Sequence, residues 1–207
     1  MHDENHPFLP AGLDPDRPDT PLTRLHARTE AAATTHGESR TVQTAVRMLT
    51  GRTSVEDVTS GLAAMIAGDD EGLSLPAAGA LALTAVWHRS AVPALRQALT
   101  DDDETVREAA LTVLTARAGR LRADQLLDAD LVAAVHAACG DPSPGVRGAA
   151  CAALGELAGD RDLETVLPTL SAAVMDVDAD LAAAAELGLT RLADRLDRPD
   201  LRPSTQY

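Results

Sequence analysis

The feature that most constrains this chain is an apolar pattern that returns along it at a fixed register. Val106, Ala109, Ala110, Val113 and Leu114 set it out, and Val146, Ala149, Ala150, Ala153 and Leu154 repeat it. Leu181, Ala184, Ala185, Gly188 and Leu189 occupy the same offsets, as do Leu75, Ala78, Gly79, Ala82 and Leu83. Val42, Ala45, Val46 and Leu49 are a looser copy. The offsets i, i+3, i+4, i+7, i+8 gather these side chains into one stripe along an α-helix. Recurrence every 31 to 40 residues is the mark of stacked helical units. Val, Ile, Thr and aromatic residues never form alternating runs, so no sheet is expected. The predicted fold class is all-α.

Punctuation around the stripes supports a helix–turn–helix unit. Five residues before each of the four clearer stripes stands an aspartate: Asp70, Asp101, Asp141 and Asp176. An acidic group just ahead of a helix accepts from its unpaired N–H groups and complements its dipole, so these aspartates are expected to cap. Pro93 fits a helix start, whereas Pro168 should bend a helix that begins earlier. Gly51, Gly68, Gly119, Gly140 and Gly159 stand where helices should end. Helices are expected at about 21–33, 41–50, 54–67, 74–88, 91–100, 104–118, 129–139, 144–158, 163–175 and 179–196, with a short extra one near Arg120–Leu127.

Taken together, Val106-Arg107-Glu108-Ala109-Ala110 and Val146-Arg147-Gly148-Ala149-Ala150, each behind an aspartate turn, resemble the HEAT repeat family. The resemblance covers roughly residues 54 to 195, with a degenerate unit from about residue 22. It implies a right-handed α-α superhelix, a HEAT-like solenoid of about four to five helix pairs. It also implies a polar ladder between neighbouring repeats, for which Asp101, Arg107, Asp141 and Arg147 are the matching residues. Pro76 and Ala182 replace the arginine in the flanking units and would break the ladder there. The family serves mostly as a protein-binding scaffold.

Three segments are expected: a Pro- and Asp-rich arm over residues 1–20, the helical repeat domain over 21–196, and a frayed tail over 197–207. Pro7, Pro10, Pro15 and Pro18 forbid a regular helix in the arm, which is either disordered or an extended peptide docking Phe8 and Leu9. The polar first residues lack a signal peptide, and no run of about 18 apolar residues spans a bilayer, so a cytoplasmic protein with no membrane partner is expected.

The formal net charge is −14, and all 18 basic residues are arginine. Acids concentrate in Asp69-Asp70-Glu71, in Asp101 to Glu104, and at Asp176, Asp178 and Asp180. They read either as helix caps and solubilising charge or as an edge for a basic partner. Asp176-x-Asp178-x-Asp180 imitates the start of a calcium loop but lacks its glycine and terminal glutamate. Nucleic acid is not expected as a partner, because phosphate binding needs clustered basic groups and stacking needs aromatics. The dense basic cluster, Arg117, Arg120 and Arg122, is explained by the negative end of a helix dipole.

No catalytic site assembles from the sequence. There is no phosphate-binding glycine loop, no G-x-S-x-G and no His-Glu dipeptide, and the repeats hold only His88 and His136. Cys139 and Cys151 read as small apolar side chains, with a redox or metal pair as the alternative. No cofactor and no metal are expected. The function expected is a non-catalytic scaffold or adaptor for another protein; the alternative is an accessory or chaperone-like subunit presenting substrate to a partner enzyme. Helical geometry nominates Glu108, Thr112, Ala152, Ala183 and Glu186 as the contact face, with Asp102, Asp103 and Glu104 as the charged edge.

Overall fold

The computed structural model describes residues 20–59, 61–68 and 72–203, and all regular elements among them are helical. The Phe8–Leu9 arm and the run Asp69-Asp70-Glu71 lie outside the described residues. Among the described residues no helix is long and apolar enough to cross a membrane. Contacts divide the chain into two units, one ending at Arg117 and one beginning at Ala118.

The first unit opens with α1 (Pro21–His36) and α2 (Glu38–Leu49). Thr20 starts α1 with a reciprocal cap: its hydroxyl accepts from the Thr23 amide at 3.1 Å, while the Thr23 hydroxyl accepts from the Thr20 amide at 2.9 Å. Two orphan donors are thereby satisfied at once. The single helix expected over 54–67 is instead two, α3 (Val55–Thr59) and α4 (Leu62–Ala67). Gly61 takes an extended conformation between them and donates to the Glu56 carbonyl at 3.0 Å, which closes α3. α5 (Leu75–Ala82) also stops short of the expected 88. Its end tightens into i→i+3 bonds, Leu83 to Ala80 and Thr84 to Leu81, both 2.9 Å. The carbonyls of Leu83 and Thr84 go instead to Arg117, at 3.0 and 2.7 Å. A 3-10 turn (Arg89–Ala91) leads into α6 (Val92–Ala98), with Pro93 in its first turn as expected, and α7 (Glu104–Ala116) completes the unit.

α2 packs on α5, and α5 on α7. The stripe does the packing: Val106, Ala109, Ala110, Val113 and Leu114 are all buried, as are Ala78, Ala82, Leu83, Val42, Ala45 and Leu49. Each large aliphatic side chain removed from water contributes about 1.5–3 kcal/mol. Gly79 shows how near the helices come, since a Cβ there would lie 2.5 Å from the Met48 Cβ.

The second unit begins with α8 (Ala118–Ala123), a short helix that starts two residues before and ends four before the one expected near Arg120–Leu127, and continues with α9 (Ala129–Ala137). Asp128 caps α9 by accepting from the Leu131 amide at 2.7 Å. After a 3-10 turn (Ala138–Gly140) come α10 (Pro144–Leu157), α11 (Leu163–Val174) and α12 (Ala179–Leu196). Pro168 lies inside α11 and cannot donate to the Glu164 carbonyl, at the cost of one ladder bond. α12 ends at Asp197 in the left-handed conformation, and Pro199–Leu201 adds a 3-10 turn.

α12 packs on both α10 and α11. Val146, Ala150, Ala153, Leu154, Leu181, Ala185 and Leu189 are buried, whereas Ala149 and Ala184 are only half-buried. A Cβ on Gly155 would meet the Gly188 carbonyl oxygen at 2.5 Å, and one on Gly188 would meet the Cys151 oxygen at 2.5 Å. Two glycines therefore set the approach of α10 to α12. Of the five glycines expected to end helices in a left-handed conformation, Gly51 and Gly68 have positive φ, with ψ at Gly68 extended, while Gly119, Gly140 and Gly159 keep negative φ.

Candidate functional site

The turns ahead of α7, α10 and α12 share one chemistry. Asp101 accepts from the amide of Asp103 at 3.0 Å, Asp141 from Ser143 at 2.9 Å, and Asp176 from Asp178 at 2.9 Å. Each aspartate thus shapes the turn by bonding its own backbone two residues on, as short acidic side chains do. The capping position is the residue that receives this support. Asp103 caps α7, accepting from Thr105 N–H at 2.9 Å and Thr105 Oγ1–H at 2.8 Å. Asp178 caps α12 through Asp180 and Leu181, and Ser143 precedes α10 without a side-chain bond. The expectation that Asp101, Asp141 and Asp176 cap is therefore corrected by two residues. Thr105, with help from Ser74 and Arg107, holds the Asp103 carboxyl below its usual range.

In the two turns that carry it, arginine is used alike. Arg107 Nη1 donates to the carbonyls of Asp101 and Asp102 at 2.8 and 3.1 Å; Arg147 Nη1 donates to those of Asp141 and Pro142 at 3.0 and 3.1 Å. These bonds tie each arginine to its own turn.

The residues nominated for partner contact fall in both units. In the first, Asp102, Asp103, Glu104 and Glu108 are exposed around the start of α7, and Thr112 is half-buried further along it. In the second, Ala183 and Glu186 are exposed on α12 and Ala152 is half-buried on α10. Asp103 differs from its neighbours because its carboxylate is already committed to the helix cap. Met175 and Val177 add exposed apolar surface in the turn before α12.

Spacing along the chain missed a second use of arginine, in which a guanidinium reaches the C-terminal carbonyls of another helix. Arg28 of α1 donates to Ile66 and Ala67 at the end of α4, at 3.0 and 2.7 Å. Arg117 does the same for α5 and lies 5.7 Å from the Trp87 ring centroid, within cation–π range. Arg195 of α12 reaches Gly155 and Ala158, and Arg122 of α8 reaches Glu156, all at the end of α10. Burial and the neighbouring Arg122 charge pull the Arg195 pKa down from its ordinary value. The dipole argument for Arg117 holds, but the helix end it serves is 33 residues away in sequence.

Other candidate chemistry is occupied locally. His88 caps the 3-10 turn through Ser90, and His136 Nε2 shares a 2.7 Å hydrogen bond with Thr169 Oγ1. Asp176 and Asp178 spend carboxylate oxygens on the backbone of their turn. Among the described residues no group of three His, Cys, Asp or Glu is placed to hold a metal. The sulfurs of Cys139 and Cys151 lie 4.0 Å apart, both as free thiols. No protein-family model matches the chain, and no curated protein matches it.

Proposed function

We propose that this chain is a non-catalytic scaffold for another protein, built from HEAT-like helix pairs as a right-handed solenoid. The observation that carries the reading is the recurrence of one turn. Asp101, Asp141 and Asp176 make the same backbone bond, and each is followed by a helix whose stripe is buried at most of the same offsets. Recurrent units of this kind stack through one face and leave another open along their length. In the first unit Glu108 and Thr112 on α7 are the open positions, and in the second unit Ala152 on α10 with Ala183 and Glu186 on α12. Asp102 and Glu104 supply negative charge that steers a basic partner toward those on α7. Asp101 with Arg107, and Asp141 with Arg147, hold each turn to its own helix in the same way. The protein works in the cytoplasm and takes no cofactor.

The test is recovery of the full chain from its native host by affinity purification, followed by mass spectrometry of what accompanies it. One protein present in stoichiometric amount is expected. A chain recovered alone, at native expression and low salt, would overturn the proposal.

A further inference from the structure

The sequence places Cys139 and Cys151 twelve positions apart, on either side of the turn that holds Asp141. Folding brings their sulfurs to 4.0 Å. We propose that Cys139 and Cys151 are an oxidisable dithiol that a small hydroperoxide converts into an intramolecular disulfide.

Closing the bond requires the sulfurs to approach from 4.0 Å to about 2.05 Å. The movement falls to Cys139, which sits in the 3-10 turn Ala138–Gly140, whereas Cys151 is held inside α10. Cys151, midway along α10, is only 1% exposed, whereas Cys139 is half-buried and the nearer of the two to solvent. One S–H is shared between the two sulfurs, and burial opposes the ionisation of both thiols. The positive charge of Arg147 favours the thiolate at Cys151. Arg147 is fixed for this role by the Asp141 and Pro142 carbonyls.

The chemistry balances in two steps. The Cys151 thiolate attacks one peroxide oxygen, the O–O bond breaks, and the leaving oxygen takes up a proton, giving a sulfenic acid. Cys139 sulfur then attacks the Cys151 sulfur, the S–O bond breaks, and the hydroxide departs as water with the Cys139 proton. Two electrons pass from the sulfurs to the peroxide. A bulky disulfide cannot reach the buried Cys151, so the small oxidant is the one selected. The product ties the 3-10 turn after α9 to α10 and closes a short loop, which raises resistance to unfolding.

The full chain is exposed to hydrogen peroxide under native conditions, quenched with catalase, denatured and alkylated. Both alkylation sites should be lost with a mass decrease of about 2 Da, and trypsin should release peptides 123–147 and 148–161 joined by a reducible link. In Cys139→Ala the reaction should stop at a dimedone-reactive sulfenic acid on Cys151. Retention of both alkylatable thiols, at a peroxide dose that oxidises the unfolded chain, would overturn the proposal. So would disulfides formed only between molecules.

Discussion

Gly148 and Gly188 line the same helix pair, yet adding a methyl group to each should have opposite effects. At Gly188 a Cβ would sit 2.5 Å from the Cys151 carbonyl oxygen, about 0.9 Å inside the 3.4 Å of ordinary contact. The obstacle is backbone, so α10 and α12 must part along their length. Over-packing of this kind costs about 1–3 kcal/mol, and backbone against backbone lies at the upper end. The gain in helix propensity from Gly to Ala returns about 1 kcal/mol. Gly188→Ala should therefore lose about 2 kcal/mol. At Gly148 the nearest atom is the Ala184 Cβ at 3.6 Å, an ordinary van der Waals contact. Gly148→Ala should keep its propensity gain and add about 0.5–1 kcal/mol. Calorimetric melts convert these to roughly 2–8 °C per kcal/mol, the larger value applying if the second unit melts by itself. The midpoint should fall for Gly188→Ala and rise for Gly148→Ala. Shifts of the same sign would refute the close approach of these helices.

Three further outcomes follow from the same contacts. Asp103→Ala removes the α7 cap and should cost about 1 kcal/mol, while Asp102→Ala should be neutral in thermal melts. Because the folded Asp103 carboxyl titrates below its ordinary 3.8, its contribution is complete above that value and fades as pH falls through the depressed one; acid titration of Asp103→Ala should show a flatter loss of stability there. Ala150→Leu enlarges a fully buried stripe position and should cost about 1–3 kcal/mol, whereas Glu108→Ala should leave the midpoint within error. Arg117→Met strands the Leu83 and Thr84 carbonyls and uncovers Trp87, the single tryptophan, so its fluorescence should shift and stability should fall by about 1–3 kcal/mol.

What the sequence disclosed was periodic or local. The stripe from Val106 to Leu114 reads as one helix face because burial repeats at the helical period, and those residues are buried. The aspartate turns were also legible, but not which carboxylate caps. Asp101 and Asp103 are both good acceptors within three residues, and only backbone geometry assigns the cap to the second. The end of α5 was hidden because its cause, Arg117, lies 33 residues downstream. Gly148 and Gly188 are indistinguishable as letters; the facing helix makes one tolerant and the other not. Likewise Cys139 and Cys151 show no paired spacing, and the turn between α9 and α10 brings them together.

The central claim, that the open faces of α7 and α12 bind a protein, is tested most directly by binding kinetics with the recovered partner. Glu108→Arg and Glu186→Arg alter exposed positions and should leave the melting curve unchanged. Surface plasmon resonance should show dissociation faster by roughly tenfold, equivalent to about 1.4 kcal/mol, for at least one of them. Asp102→Asn should slow association at low salt, with the difference vanishing as the Debye length shrinks below about 8 Å. Wild-type kinetics for all three variants, folded as the parent, would contradict the claim.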